Sequence, residues 1–305
     1  MGTASPPADG AGPTWVFHRG ALGDSVLLWP MLRRWQKHGP VTLVSRESHA
    51  QLAARWLGVD GVDAEQPKFN ELWINNPGHA LQTPVMPGVA QVFALEADPH
   101  SDAGRVWLAN AAAMFPGAET ISRGGRIDRL AALELTGPRP DLGTRRANPG
   151  GPIVLHVGAG SRDKRWPLAR WAALVKRIEP MLGSREIIAL AGEVEAEQFD
   201  DAEREIFASL APLSAYLTSL DELSGLVQDA SVLLAADTGP GHLAAALGVT
   251  TISLFGPTDP ARWSPLGVAS RVIAPNAPRG MEWLAPGRVM EDVSRILGRT
   301  GGERV

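Results

Sequence analysis

The residues best suited to chemistry lie in Asp237-Thr238-Gly239-Pro240-Gly241-His242-Leu243-Ala244-Ala245-Ala246-Leu247-Gly248. An apolar strand, predicted over 231–236, runs into a turn of small residues that opens an Ala-rich helix. The first N–H groups of a helix lack intrahelical partners and carry partial positive charge, so such a turn seats an anion, above all a phosphate. Thr238 adds a hydroxyl, and Gly239 and Gly241 let a ligand approach the backbone. A second segment, Leu254-Phe255-Gly256-Pro257-Thr258-Asp259-Pro260, follows the next strand on the same C-terminal edge. That edge is where open α/β sheets bind their ligands.

Three further segments carry candidate groups. In His156-Val157-Gly158-Ala159-Gly160-Ser161-Arg162-Asp163-Lys164-Arg165-Trp166-Pro167, the residues Gly158, Gly160 and Ser161 offer backbone and hydroxyl donors to a phosphate, and Lys164 a mobile positive charge. The plainer alternative is a solvated basic loop with Trp166 packed beneath the following helix. Joined to the 237–242 turn, the loop makes a two-sided clamp for a diphosphate. In Gly192-Glu193-Val194-Glu195, a carboxylate one strand along takes ribose hydroxyls, or else an acidic first turn supports a helix dipole. In Arg19-Gly20-Ala21-Leu22-Gly23-Asp24-Ser25, Asp24 either caps a helix or stands at the mouth of a cleft as a general base. His242, one turn into its helix, reaches a ligand or packs. The other histidines show no metal-site spacing, and the ten tryptophans read as core or helix-face residues.

These groups need a scaffold of parallel strands and covering helices. Strands are predicted over 14–18, 41–45, 72–74 and 92–95 in the first half, with helices over 24–37, 47–57, 103–115 and 127–135. Pro30 kinks the 24–37 helix or marks a short first helix. In the second half strands fall at 153–157, 186–191, 214–218, 231–236, 250–255 and 271–274. Helices fall at 168–182, 195–210, 220–229, 241–247 and 288–297. Alternation of this kind argues a doubly wound parallel sheet, twice over. The expected organisation is a disordered leader (1–13), a Rossmann-like domain (14–140), a linker (141–151), a second Rossmann-like domain (152–287) and a last helix (288–305).

Bulk properties narrow the class. A length of 305 residues with 44% hydrophobic and 20% charged residues fits two soluble domains. The net charge of −4 gives no reason to expect nucleic acid as a partner, and it falls entirely on residues 151–305. The chain has no cysteine, which excludes disulfides, thiolate zinc sites and Cys nucleophiles and fits a reducing compartment. No stretch approaches the ~20 apolar residues of a membrane span, and the start of the chain lacks a signal-peptide pattern, so a cytoplasmic location is expected.

Taken together, Gly23-Asp24 with Pro30, the Lys164-Arg165-Trp166-Pro167 run, Asp237-Thr238-Gly239 with His242-Leu243-Ala244-Ala245-Ala246-Leu247-Gly248, and Phe255-Gly256-Pro257-Thr258-Asp259-Pro260 resemble glycosyltransferase family 9, the ADP-heptose:lipopolysaccharide heptosyltransferases. The resemblance implies a GT-B type α/β fold, with two Rossmann-like domains facing each other across a cleft, acceptor bound by the first and nucleotide sugar by the second. The last helix would pack back on the first domain. It implies inverting transfer without a metal and without a cofactor beyond the donor, ADP-heptose, as co-substrate. By the same resemblance Asp24 is the general base, and Lys164 with Ser161 contacts the phosphates. Thr238, Gly239 and His242 line the diphosphate, Asp237 holds sugar hydroxyls, and Glu195 takes the ribose. The acceptor would be a glycan or lipid-linked core, met peripherally at the inner membrane surface; its identity and the oligomeric state stay open. A nucleotide-sugar epimerase or hydrolase on the same fold, and a non-catalytic nucleotide-sugar binding protein, are the competing readings.

Overall fold

The computed structural model describes residues 12–74, 85–95, 97–124, 126–136 and 148–300, with residues 8 and 10. The expected leader (1–13) and linker (141–151) lie largely outside the described residues. The chain divides into two compact units, Met1–Asp141 and Leu142–Val305.

The first unit runs β1 (Thr14–Phe17), α1 (Leu22–Leu27), α2 (Trp29–Trp35), β2 (Val41–Ser45), α3 (Glu47–Leu57), β3 (Asp60–Asp63), a 3-10 segment (Pro67–Trp73), β4 (Gln91–Ala94), α4 (Asp102–Met114), β5 (Glu119–Ser122) and α5 (Arg129–Thr136). Its strands are all parallel in the order β3-β2-β1-β4-β5. Pro30 falls in the first turn of α2, where a missing N–H is harmless, so the expected 24–37 helix becomes two short ones meeting at Leu28. The strand expected at 72–74 is instead the end of the 3-10 segment. Pro67 starts that segment, and its threefold repeat buries Phe69 and Leu72 on one side. The core gathers aromatic rings, with Phe17 edge-on to Phe69 at 5.6 Å and to Trp107 at 5.5 Å.

The second unit runs β6 (Ile153–His156), a 3-10 turn (Arg162–Lys164), α6 (Leu168–Ile178), β7 (Ile187–Gly192), α7 (Glu193–Gln198), α8 (Asp201–Ala208), β8 (Leu213–Leu217), α9 (Leu220–Asp229), β9 (Val232–Ala236), α10 (Gly239–Ala246), β10 (Thr250–Leu254), α11 (Pro260–Trp263), β11 (Ser270–Ile273) and α12 (Pro286–Thr300). The order is β11-β10-β9-β6-β7-β8, again all parallel. Strands β6 and β9 lie side by side although four α-helices and two strands separate them in the chain. The order therefore reverses between them, which opens a crevice at their C-terminal ends. The expected 195–210 helix is two helices. Asp200 and Glu203 form a reciprocal capping box, with Glu203 N donating to Asp200 Oδ1 at 2.8 Å, and this starts α8 afresh.

Two anchors tie the C-terminal segment into this unit. The apolar stripe Val289, Val293 and Leu297 of α12 is buried in the second unit's core, where α12 packs on α6. Trp166 is fully buried, edge-on to Trp171 at 4.8 Å, and its indole N–H donates to the Leu284 carbonyl at 2.9 Å. Trp166→Ala would remove a buried aromatic and one of the two donors to that carbonyl, the other being Arg170. It is expected to lower the stability of the second unit by about 3–5 kcal/mol, read as an earlier urea midpoint for that unit while the first keeps its own.

Candidate active site

The crevice of the second unit is built from the loops that leave β6, β9 and β10. In the run Lys164-Arg165-Trp166, consecutive side chains have different tasks. Trp166 enters the core, Arg165 is buried beneath the loop, and Lys164 is left at the crevice. Lys164 Nζ lies 2.9 Å from Asp237 Oδ2, and the Thr258 hydroxyl donates to the same oxygen at 2.9 Å. Three loops thus converge on one carboxylate. In the sequence Thr258 stands out only as part of Gly256-Pro257-Thr258-Asp259-Pro260, and its partnership with Asp237 follows from β10 lying next to β9.

Helix α10 begins here. Thr238 is its N-cap, with Gly239 first and Pro240 second. The Thr238 hydroxyl makes no capping bond and, although buried, finds no partner among the described residues. His242 is buried one turn further on. Proline brings no N–H, and the N–H groups of Gly241 and His242 turn back toward the Thr238 carbonyl at 3.1 and 3.4 Å. Among the described residues, the donors at this helix head that no carbonyl takes up are accordingly the buried Thr238 hydroxyl and the Gly239 N–H.

Glu195 occupies a different place from the ribose position expected of it. Its Oε1 accepts from Ala159 N at 3.1 Å and its Oε2 from Gly192 N at 3.2 Å, while Arg165 lies 3.5 Å from Oε1. Arg165 also donates to Gln198 Oε1 at 2.7 Å and sits over the Phe199 ring at 5.3 Å. The Glu195 carboxylate is buried and turned into the protein, where it fastens the turn after β6. Gly158 serves that fastening: a methyl group there would collide with the carboxylate. Burial pushes the neighbouring His156 imidazole below its ordinary value, and the charge of Glu195 opposes this only in part. Gly160 is exposed with open space around its Cα, and the Ser161 hydroxyl lies beside Asp163, whose carboxyl it holds below the usual range.

In the first unit the order reverses between β1 and β4. Asp24 is the third residue of α1 and not its cap; the N-cap is Ala21, which makes no side-chain bond. Its carboxylate is held by two hydrogen bonds from Arg126, Nε to Oδ2 at 3.2 Å and Nη2 to Oδ1 at 3.3 Å. Arg126 was not foreseen. It follows β5, an edge strand whose polar sequence carries little apolar signal, and only the strand order brings it to Asp24. Gly20 lies close by: a methyl there would sit 3.2 Å from Asp24 Oδ2 and 2.7 Å from the His18 ring. On the same edge a cavity of about 590 Å³ is lined by Arg19, Arg46, Glu47, Ser48, Asp63, Glu65 and Trp73, with the Arg19 guanidinium 4.8 Å above the Trp73 ring.

Comparison with known proteins gives this arrangement a class. In overall fold the chain is similar to a heptosyltransferase from E. coli (WaaC) solved with ADP, at a TM-score of 0.61 and 17% identity over 93% of this chain and 99% of that one. It is also similar to the E. coli ADP-heptose lipopolysaccharide heptosyltransferase II, at a TM-score of 0.67 and 17% identity over 95% and 100%. The two parallel α/β units are therefore those of the GT-B fold. Residues 142–282, which hold the β6, β9 and β10 loops, match the sequence model of glycosyltransferase family 9 (heptosyltransferase). Among curated relatives, lipopolysaccharide heptosyltransferase 1 of Pseudomonas aeruginosa is 40% identical over 146 residues, covering 44% of this chain and 40% of that protein. The Salmonella typhimurium protein of the same name is 33% identical over 117 residues, covering 36% and 33%. The matched stretches thus span well under half the length of these relatives. Among the described residues no helix is long and apolar enough to cross a membrane, and no three potential metal ligands gather.

Beneath the first unit's loops, His18 and His49 form a titrating pair. Burial, then His49 and Arg46, push His18 down to about 4; burial, then Arg46, push His49 down to about 4. In the unfolded chain both take up protons near 6.5. Between about 4 and 6.5 the unfolded state binds more protons than the folded one, so the stability present above that window is lost as pH falls through it. The urea midpoint of the first unit should drop between pH 7.5 and 5, and His49→Gln should make that drop shallower.

Proposed function

We propose that the chain is a metal-independent inverting glycosyltransferase that moves a heptosyl group from ADP-heptose onto a glycan or lipopolysaccharide-core-like acceptor. It would work in the cytoplasm, at the surface of the membrane that carries the acceptor. The observation that carries this reading is the convergence of Lys164, Asp237 and Thr258 at the head of α10, inside the family 9 region. The solved relative with ADP supports a nucleotide donor, and the curated names support heptose.

The chemistry is a direct displacement at the anomeric carbon. Asp24 takes the proton of an acceptor hydroxyl, the acceptor oxygen bonds to that carbon from the face opposite the donor, and the bond to the diphosphate breaks, releasing ADP. Negative charge grows on the departing phosphate, where a positive side chain and oriented donors are worth most. Lys164, the Thr238 hydroxyl and the Gly239 N–H provide them. Lys164 exchanges Asp237 for the phosphate as the donor enters, which frees the Asp237 carboxylate for sugar hydroxyls. The cavity around Trp73, with its mixed arginines and carboxylates, suits a hydroxyl-rich acceptor on the same sheet edge as Asp24.

Asp24→Asn should lower kcat by about 10²- to 10⁴-fold and leave ADP affinity in EDTA within twofold. Lys164→Met should weaken ADP binding about tenfold or more. Calorimetric titration with ADP, followed by transfer assays with ADP-heptose and truncated core acceptors, reads both. A wild-type rate in Asp24→Asn would overturn the base assignment. Donor consumed equally well without acceptor would favour the hydrolase or epimerase reading.

A further inference from the structure

Arg126 approaches Asp24 from a fixed backbone. Gly124, two residues earlier, packs so closely on the loop after β4 that a methyl there would lie 2.7 Å from Asp98 Cβ. Ile127 and Asp128, just after it, are buried, and Asp128 Oδ1 accepts from Ala131 N at 2.8 Å in the first turn of α5. The arginine is pinned on both sides, so its reach across β4 to the end of β1 is a property of the fold. The two partners differ sharply in exposure: the Asp24 side chain is 8% exposed and that of Arg126 67%. The carboxylate is recessed and the guanidinium covers it from the solvent side, the side from which an acceptor must arrive. Nearby Arg123 is engaged elsewhere, 2.8 Å from Glu134.

We propose that Arg126 is the positioning residue of Asp24: it clamps both carboxylate oxygens in the resting protein and yields one of them to the incoming acceptor hydroxyl. This rests on Asp24 acting as the base. A two-point clamp fixes the carboxylate plane as well as its position, which a point charge does not. A neighbouring positive charge also favours the ionised form of a carboxylate, the form a base needs. The other titratable or charged groups around this loop include Arg19 within it, Arg46, which donates to the Arg19 carbonyl, and the buried pair His18 and His49, with His18 behind Gly20 and pushed down to about 4 by burial first.

The test uses the full chain with 13C-labelled aspartate carboxyls, comparing wild type, Arg126→Lys and Arg126→Gln, with Asp24→Asn identifying the resonance. Arg126→Gln should raise the Asp24 titration midpoint by about one pH unit, and Arg126→Lys should restore the charge effect but not the rate. In transfer assays Arg126→Gln should lower kcat at least tenfold and move its acidic limb upward with the carboxyl midpoint, with ADP affinity unchanged. The exposed side chain makes folding tolerant of the change, and an unaltered urea midpoint checks it. An Asp24 midpoint and kcat both unmoved in Arg126→Gln would overturn the proposal. A carboxyl midpoint that moves while the acidic limb of kcat stays put would instead show that Asp24 is not the base. That outcome strikes the functional reading and leaves the clamp standing.

Discussion

The ion pair between Lys164 and Asp237 is the interaction on which the second unit's site depends. It joins loops from β6 and β9, the two strands between which the sheet order reverses, and Thr258 from β10 closes the third side. A half-buried lysine without a counter-charge would be costly to keep ionised, and a carboxylate in that crevice would be costly without a donor. Each therefore holds the other ready in the absence of a ligand. The pair also leaves the crevice without a net charge from these two groups.

The same device recurs in the first unit. There too the carboxylate is the recessed partner: Asp24 and Asp237 side chains are each 8% exposed, under Arg126 at 67% and Lys164 at 29%, so the arrangement is repeated. In each unit a carboxylate at the C-terminal edge of the sheet is paired with a cation from a neighbouring loop. Neighbouring backbone keeps these partners in register: Glu195 and Arg165 fasten the turn before Lys164, and Gly124 presses the loop of Arg126 onto Asp98.

Much of this was legible from residue order, for physical reasons that differ between the halves. Central parallel strands such as Ile153–His156 and Val232–Ala236 are buried on both faces and read as continuous apolar runs. The turn into α10 was plain because Gly, Pro and Thr have few other uses between a strand and a helix. Edge strands β3 (Asp-Gly-Val-Asp) and β5 (Glu-Thr-Ile-Ser) lack that signal, since one of their sides faces solvent and polar residues blunt it. The function of Glu195 was equally hidden. An acidic residue in a helix's first turn looks the same whether it serves a ligand, a dipole or, as here, the backbone of a neighbouring loop. Arg126 lies 102 residues from Asp24, and no local pattern links them.

The anchoring of Trp166 has a consequence for the order of events in synthesis. Its indole bonds the Leu284 carbonyl, and the neighbouring helix α6 is covered by α12. The loop that carries Lys164 is thus complete only when residues more than a hundred positions later have left the ribosome. Until Leu284 and α12 emerge, the Trp166 indole lacks its carbonyl and one face of α6 is uncovered, although Asp237 and Thr258, the partners at the lysine, are already made. The support beneath Lys164 is therefore completed after the groups that face it.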